Sequence, residues 1–219
     1  MTACARDQRH NEVHHPIFAR LFDRLSRLME PEAGLHRDRL LAGLCGRVIE
    51  VGAGNGVNFA HYPSSVEEVV AIEPEPYLRA KAEMAAHEAR VAVRVLGGTA
   101  AQLPVESASF DAAVACLVLC TVPDVEAALG ELRRVLTPRG ELRFFEHVRA
   151  GHLAKASVQS AFDRSGIWPA IGGGCHCSRS TTETIASAGF RVTKLEKIVV
   201  GRSWFITNPH VLGTAQVAP

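Results

Sequence analysis

Nine residues, Val48-Ile49-Glu50-Val51-Gly52-Ala53-Gly54-Asn55-Gly56, constrain the fold more than any other stretch of the chain. An apolar run that ends in an acid and then alternates glycines reads as a buried strand. It delivers its chain into a loop where backbone, free of Cβ atoms, approaches a ligand closely. The spacing is G-x-G-x-G. It is neither the G-x-G-x-x-G of a dinucleotide site nor a phosphate cradle, which needs Gly-Lys-Ser/Thr. A nucleoside that presents no pyrophosphate fits this loop. A second apolar run, Val69-Val70-Ala71-Ile72, ends in Glu73. An acid there, at the end of a second strand, can accept hydrogen bonds from both ribose hydroxyls.

The rest of the chain alternates strands and helices. Strands are expected at Arg47 to Val51, Val66 to Ile72, Val91 to Leu96, Ala112 to Leu119 and Glu141 to Val148. Between them come a short helix from Asn55 to Tyr62 and a Pro-initiated helix around Glu75 to Ala89. A further helix, capped by Asp124, runs to Leu136, where Thr137-Pro138 stops it and Gly140 turns the chain. A less regular segment to Arg179 precedes a helix from Thr181 to Ala188 and two final runs, Arg191 to Val200 and Ser203 to Gly213. Such alternation predicts an α/β fold whose sheet is largely parallel, with helices on both faces. Ahead of it, Phe18, Phe22, Leu25 and Met29 recur at helical spacing from Pro16, with Arg20, Arg24 and Arg27 on the other face. A second short helix is expected around His36 to Leu44. The arginine-faced helix reads as a lid that packs its apolar side over the ligand site; lying on a membrane surface is the competing reading. Residues 1–34 are thus an N-terminal segment with a lid-like helix, and 35–219 the main domain.

The ordered set Glu50-x-Gly52-x-Gly54-x-Gly56, Glu73, Ser109-Phe110-Asp111 and Leu136-Thr137-Pro138-Arg139-Gly140 resembles the class I S-adenosylmethionine (SAM) dependent methyltransferases, over roughly residues 35–219. The resemblance implies a Rossmann-like fold: a seven-stranded, mostly parallel sheet with helices on both faces and an antiparallel edge hairpin. It implies SAM as cofactor and S-adenosylhomocysteine as product. Gly52, Ala53, Gly54, Asn55 and Gly56 would then admit the methionine and ribose portions. Glu73 would take the ribose, Pro74 would lie beside the adenine, and Gly98-Thr99-Ala100-Ala101 would cradle it. Cys116 and Leu117 would contribute backbone near the methionine, although a small buried hydrophobe accounts equally for the Cys116 side chain. Glu50 has two readings, orienting the methionine amino group or bracing the glycine loop.

Composition excludes several other functions. A formal net charge of +1 provides no basic field to recruit nucleic acid or anionic lipid. No stretch is apolar enough to span a bilayer, and Met1 to His15 is polar rather than signal-like, so a cytoplasmic protein without integral membrane association is expected. The 219 residues suffice for one α/β domain, as monomer or homodimer, and the six cysteines form no disulfide framework. Abundant Ala and an excess of Arg over Lys suggest a bacterial source. The histidines His10, His14 and His15 receive no role.

The acceptor side is apolar. After the fourth strand, enzymes that methylate base amines resemble Asn/Asp-Pro-Pro-Tyr/Phe, whereas here stands Cys116-Leu117-Val118-Leu119-Cys120-Thr121. No basic patch interleaves with aromatics, so nucleic acid is not expected as a partner. Leu117 to Val122, Phe145-Glu146-His147-Val148 and Gly174-Cys175-His176-Cys177-Ser178-Arg179, with Trp204 and Pro209-His210, resemble the methyltransferase-like group that includes alkyl thiol methyltransferases, without their membrane anchor. The resemblance implies a small, rather apolar acceptor, for which a thiol is chemically suited because it ionises near neutral pH with modest help. His147 can take the acceptor proton or stabilise the anion, and serves equally as a hydrogen-bonded cleft wall. Cys120, His147 and Arg179 are the candidate acceptor-binding residues; an ordinary ion pair would also explain Arg179. Cys175-His176-Cys177 with Cys120 invites a metal or arsenic reading, yet C-x-C without a second C-x-x-C is not a zinc spacing, and no metal is assigned. O- or C-methylation of a specialised metabolite, arsenite methylation and non-catalytic SAM binding stand as alternatives.

Overall fold

The computed structural model describes residues 15–202 and 204–218; His10 and His14 lie outside them. One seven-stranded sheet runs through the molecule. Its strands are β1 (Gly46–Val51), β2 (Val66–Ile72), β3 (Ala92–Leu96), β4 (Phe110–Cys116), β5 (Leu136–His147), β6 (Phe190–Val199) and β7 (Pro209–Val217). Their order is β3-β2-β1-β4-β5-β7-β6. Pairings among β1 to β5 are parallel, and β7 runs antiparallel to both β5 and β6. The order reverses between β1 and β4, so the carboxyl ends of those strands flank the crevice where an open α/β sheet binds its ligand.

Alternation within the strands explains why both faces are covered. Ile49, Val51, Val70, Ile72, Ala113 and Ala115 belong to one core, with Leu129, Leu132 and Phe144. Their neighbours Val48, Val69, Ala71, Ala112 and Val114 belong to the other, with Leu40, Leu41, Phe59 and Tyr62. A period of two buried on both sides is the signature of a parallel sheet sandwiched between helices.

The helices are α1 (Pro16–Leu41), α2 (Pro76–Glu88), α3 (Val125–Val135), α4 (Leu153–Arg164), α5 (Ile167–Ile171) and α6 (Thr181–Ser187), with a 3-10 turn at Val57–His61. The expected cap at Asp124 holds, its carboxylate accepting from Ala127 N at 2.9 Å, and the structure adds one at Glu75, whose carboxylate accepts from Leu78 N at 2.8 Å. Several expectations are corrected. The two short N-terminal helices are one continuous helix that accommodates Pro31. Its buried stripe is Ala19, Asp23, Ser26, Gly34, Arg37, Leu40 and Leu41, while Ile17 and Leu28 are 84% and 76% exposed. The larger apolar side chains therefore face mostly outward, and polar groups face the domain. The segment before Arg179 contains helices α4 and α5. They have no apolar stripe to betray them, because α4 buries only Ala156 and Gln159 and α5 buries nothing. Strand β4 stops at Cys116, short of Leu119, because Leu117 turns to a φ of 61°. Pairing of β5 with β4 breaks after Phe110–Leu136 and resumes at Ala112–Glu141, which leaves Thr137 to Gly140 in the irregularity. The last strand begins at Pro209 rather than at residue 203.

Candidate active site

The glycine loop leaves β1 in left-handed backbone: Gly52, Gly54 and Gly56 have φ of 63°, 58° and 79°. Space forbids side chains there as firmly as conformation does. A Cβ on Gly52 would sit 2.4 Å from Val118 Cγ2, and one on Gly54 would sit 3.0 Å from the Phe22 ring. Ala53 N donates to Ile72 O at 3.1 Å, which ties the loop to the end of β2. The Glu73 carboxylate completes the tie, accepting from Gly54 N at 2.7 Å and from Glu75 N at 2.9 Å. Each oxygen carries one N–H and retains a lone pair for a further donor. Burial pushes the Glu73 carboxyl up to about 7, against the lowering effect of those two N–H groups.

Glu50 lies one layer below. Its carboxylate accepts from Asn58 Nδ2 at 2.6 Å and from the Tyr62 hydroxyl at 2.8 Å. Burial pushes it up to about 7, with Tyr62, Asn58 and Arg37 pulling the other way. Its partners are the 3-10 turn and Tyr62, which brace the glycine loop from behind. Arg37 of α1, buried among them, donates to Asn58 Oδ1 at 2.5 Å and approaches Cys116 Sγ at 3.4 Å and Glu30 Oε2 at 3.2 Å. Sequence reasoning missed Arg37, since an arginine on an arginine-rich helix reads as solvated.

Asn55 is also held by α1. Its Nδ2 donates to Asp23 Oδ1 at 2.7 Å and to Ser26 Oγ at 2.9 Å. Asp23 in turn takes Arg27 at 3.0 Å and the Tyr77 hydroxyl at 3.3 Å. Phe18 and Phe22 stack with centroids 5.9 Å apart, and the Phe18 ring lies where a Cβ on Gly173 would be. Helix α1 therefore spans from the glycine loop to the segment between α5 and α6.

On the far side of β2, Gly98 packs against Ile72 and Pro104. Thr99 bridges to Gln102, Ala100 is buried in the core and Ala101 is exposed. Pro74 is half-buried, and its carbonyl accepts from Arg79. Glu73, Pro74 and the stretch from Gly98 to Ala101 thus share the carboxyl ends of β2 and β3.

The turn after β4 has its own brace. Glu146, fully buried near the end of β5, accepts from Val118 N and Leu119 N at 2.9 Å and from Cys120 N at 3.1 Å. Burial pushes its carboxyl up to about 7, and the three N–H groups oppose that. From outside, Arg179 Nη1 donates to Leu119 O at 2.6 Å, and His176 N donates to Cys120 O at 2.8 Å. Arg179 is therefore bound to main chain rather than held in a surface ion pair. Glu146 went unassigned in the sequence, although a carboxylate beside a chemically interesting histidine was a visible signal.

His147 is half-buried at the carboxyl end of β5, with its ring 4.4 Å from that of His210. Its Nδ1 lies 3.5 Å from Cys120 Sγ and 3.6 Å from Cys175 Sγ. The neighbouring Cys120 thiol pulls Cys175 down, with the His147 imidazole adding to the effect, and Cys120 itself is pushed up by Cys175 and by burial. The C-x-C pair divides: Cys177 N and Sγ both point at Asp163 Oδ1, at 3.2 and 3.5 Å, and His176 Nδ1 pairs with Gly174 O. So the fold brings Cys120, His147 and Cys175 together and sends Cys177 elsewhere.

Comparisons with known proteins agree with this geometry. A family model described as a methyltransferase domain matches residues 49–144. The human thiol S-methyltransferase TMT1B is 33% identical over 183 residues, covering 80% of this chain and 73% of that protein. The human thiol S-methyltransferase TMT1A is 33% identical over 184 residues, covering 80% and 72%. Among solved structures, a SAM-dependent methyltransferase from Thermotoga maritima, described as a possible histamine N-methyltransferase, superposes with a TM-score of 0.67 at 23% identity, covering 92% of this chain and 98% of that one. No helix of the described residues is long and apolar enough to cross a membrane. With its switch-point glycine loop, its antiparallel edge and these relatives, the chain belongs to the class I SAM-dependent methyltransferases, in the group that includes the thiol S-methyltransferases TMT1A and TMT1B.

Proposed function

We propose that the protein transfers the methyl group of SAM to the sulfur of a small, apolar thiol. The observation that carries this reading is the likeness to thiol S-methyltransferases, at 33% identity across 80% of the chain. The cleft residues fit the cofactor. Gly52 and Gly54 leave backbone where a side chain would intrude, and Glu73 keeps acceptor capacity on both oxygens.

When bound, SAM supplies the methyl group and, in its sulfonium, the leaving group. In this reading Gly52 to Gly56 admit the methionine and ribose, Glu73 accepts from the ribose hydroxyls, and Pro74 with Gly98 to Ala101 borders the adenine. Cys116 and Leu117 present main chain toward the methionine. Glu50 braces the loop through Tyr62 and Asn58, and α1 excludes water as a lid anchored by Asp23. An in-line displacement needs the acceptor as thiolate, aligned with the methyl group. His147, at the edge of the apolar turn, favours that ionised form, while Arg179 and Glu146 hold the turn that borders it.

Transfer of a labelled methyl group to a panel of alkyl thiols, phenols and arsenite tests the reading. Methylated alkyl thiols are expected as the main products, with turnover sharply reduced by His147→Ala. Activity on phenols or arsenite with none on thiols would overturn the assignment, and undiminished turnover in the histidine variant would leave His147 as cleft wall.

A further inference from the structure

Two thiols and an imidazole meet beside the acceptor turn although no motif joins them. Cys120 Sγ, His147 Nδ1 and Cys175 Sγ all lie within 4.8 Å of one another. They come from the turn after β4, the end of β5 and the segment after α5. From this we infer that Cys120, Cys175 and His147 form a tridentate site for a thiophilic divalent cation of the zinc class, with a fourth position left for the acceptor sulfur. The proposal deepens the thiol reading above and rests on it only for the occupant of that fourth position.

The distances carry the argument. A tetrahedral zinc ion with Zn–S of about 2.3 Å and Zn–N of about 2.0–2.1 Å requires N···S edges of about 3.5–3.6 Å. The two N···S distances here are 3.5 and 3.6 Å, both to the same ring nitrogen. The third edge, between the two sulfurs, is within 4.8 Å, and the same tetrahedron needs about 3.8 Å there, so the ion would sit on the common side of the three donors once the thiols close on it. Softness agrees as well: two sulfurs and an imidazole suit zinc and reject the oxygen-seeking calcium and magnesium.

The donors are also held in advance. Cys120 is fixed through both backbone groups, N to Glu146 and O from His176 N. Cys175 follows Gly174, whose φ of 91° and contact with Thr121 O, 2.9 Å from where a Cβ would lie, allow only glycine. The His147 ring lies against His210, whose Nδ1 faces Asn208 O at 2.9 Å. Ligands borne by locked backbone are what a metal site of defined geometry needs. Three protein ligands and an open fourth position mark a zinc ion that works on a substrate, whereas structural zinc has four.

The chemistry follows from ligand charge. Two cysteine thiolates and a neutral imidazole compensate a divalent ion. A thiol R–SH entering the fourth position would lose its proton to solvent, since a coordinating thiol is deprotonated by the metal. The bound thiolate would then donate an electron pair to the methyl carbon as the carbon–sulfonium bond breaks, giving R–S–CH3 and S-adenosylhomocysteine. No oxidant or reductant enters.

Titration of the reduced, metal-stripped full-length protein with Co(II) and with Zn(II) tests the site. One equivalent should bind, Co(II) should show thiolate-to-cobalt charge-transfer absorption, and Cys120→Ser and Cys175→Ser should each weaken binding at least about tenfold while SAM still binds. Cys177→Ser should leave the titration unchanged, because Cys177 faces Asp163. Absence of the charge-transfer band in wild type, or retention of full affinity by both serine variants, overturns the site. So does a Cys120–Cys175 disulfide whose reduction restores no metal binding. Activity separates this inference from the function it rests on. Equal thiol methylation by stripped and zinc-loaded enzyme refutes the role of the ion but spares the thiol assignment. Stoichiometric metal binding without methylation of any thiol refutes the assignment but spares the site.

Discussion

Replacing Glu146 by Gln probes how the acceptor turn is held. In the native protein one carboxylate receives three backbone N–H groups, from Val118, Leu119 and Cys120. The amide oxygen of Gln can keep the first two, as neutral bonds. Its NH2 would then face Cys120 N, donor against donor. Losing one bond to a charged acceptor and weakening two more amounts to about 3 kcal/mol. Leu117, at a φ of 61°, stores strain in the same turn, which lowers the barrier to rearrangement once the brace weakens. Measurements at about pH 8 keep the native carboxyl ionised, since burial pushes it up to about 7. Urea unfolding followed by circular dichroism should show the loss, and KM for the acceptor should rise more than the dissociation constant for SAM. Glu146→Ala, which strands all three N–H groups and leaves a void, should lose more. If Glu146→Gln unfolds within about 0.5 kcal/mol of wild type and its acceptor KM is unchanged, the brace is not what holds the turn.

Three further outcomes are expected. Gly52→Ala places a Cβ 2.4 Å from Val118 Cγ2 at a φ of 63°; SAM affinity by calorimetry should fall at least about tenfold, and adding Val118→Ala should recover part of it. Unchanged binding in the single variant would show that the loop does not approach the cofactor. Glu73, raised to about 7 from 4.5 by burial, is neutral in the folded chain and ionised in the unfolded one between those values, so its contribution to stability falls as pH rises through that window. Because the carboxylate is the better acceptor for ribose hydroxyls, SAM affinity should rise as pH passes about 7. Glu73→Gln should flatten the affinity profile and remove only its own share of the stability slope, since Glu50 and Glu146 are raised to about 7 as well; a persistent affinity rise in the variant would assign it to another group. Asp23→Ala removes the Asn55 and Tyr77 contacts of α1. SAM dissociation by stopped flow should then quicken about tenfold, and an unchanged rate would defeat the lid reading.

Legibility in the sequence followed the range of the interactions. The glycine loop, Glu73 and the cap at Asp124 are local chemistry: a few adjacent residues specify backbone conformation and hydrogen bonds together. The doubly covered strands were legible for a related reason, since burial on both faces leaves near-continuous apolar runs such as Val69-Val70-Ala71-Ile72. Helices α4 and α5 were not legible, because their apolar residues Leu153, Val158, Phe162, Ile167 and Ile171 face outward and leave no stripe. Asp23 and Arg37 were missed because α1 turns them inward against Asn55 and Asn58, and only tertiary placement decides which face of a charged helix is wet. The soft-donor cluster shows the same limit most sharply. Cys175 and Cys177 look like partners along the chain, yet one turns to His147 and the other to Asp163. Cys120 and His147 are 27 residues apart, and in the sequence only the family resemblance groups them; β4 and β5 are neighbouring parallel strands, so residues just beyond or at their carboxyl ends meet at one edge of the cleft. Chemistry assembled at that edge is written in strand order, which sequence spacing alone does not carry.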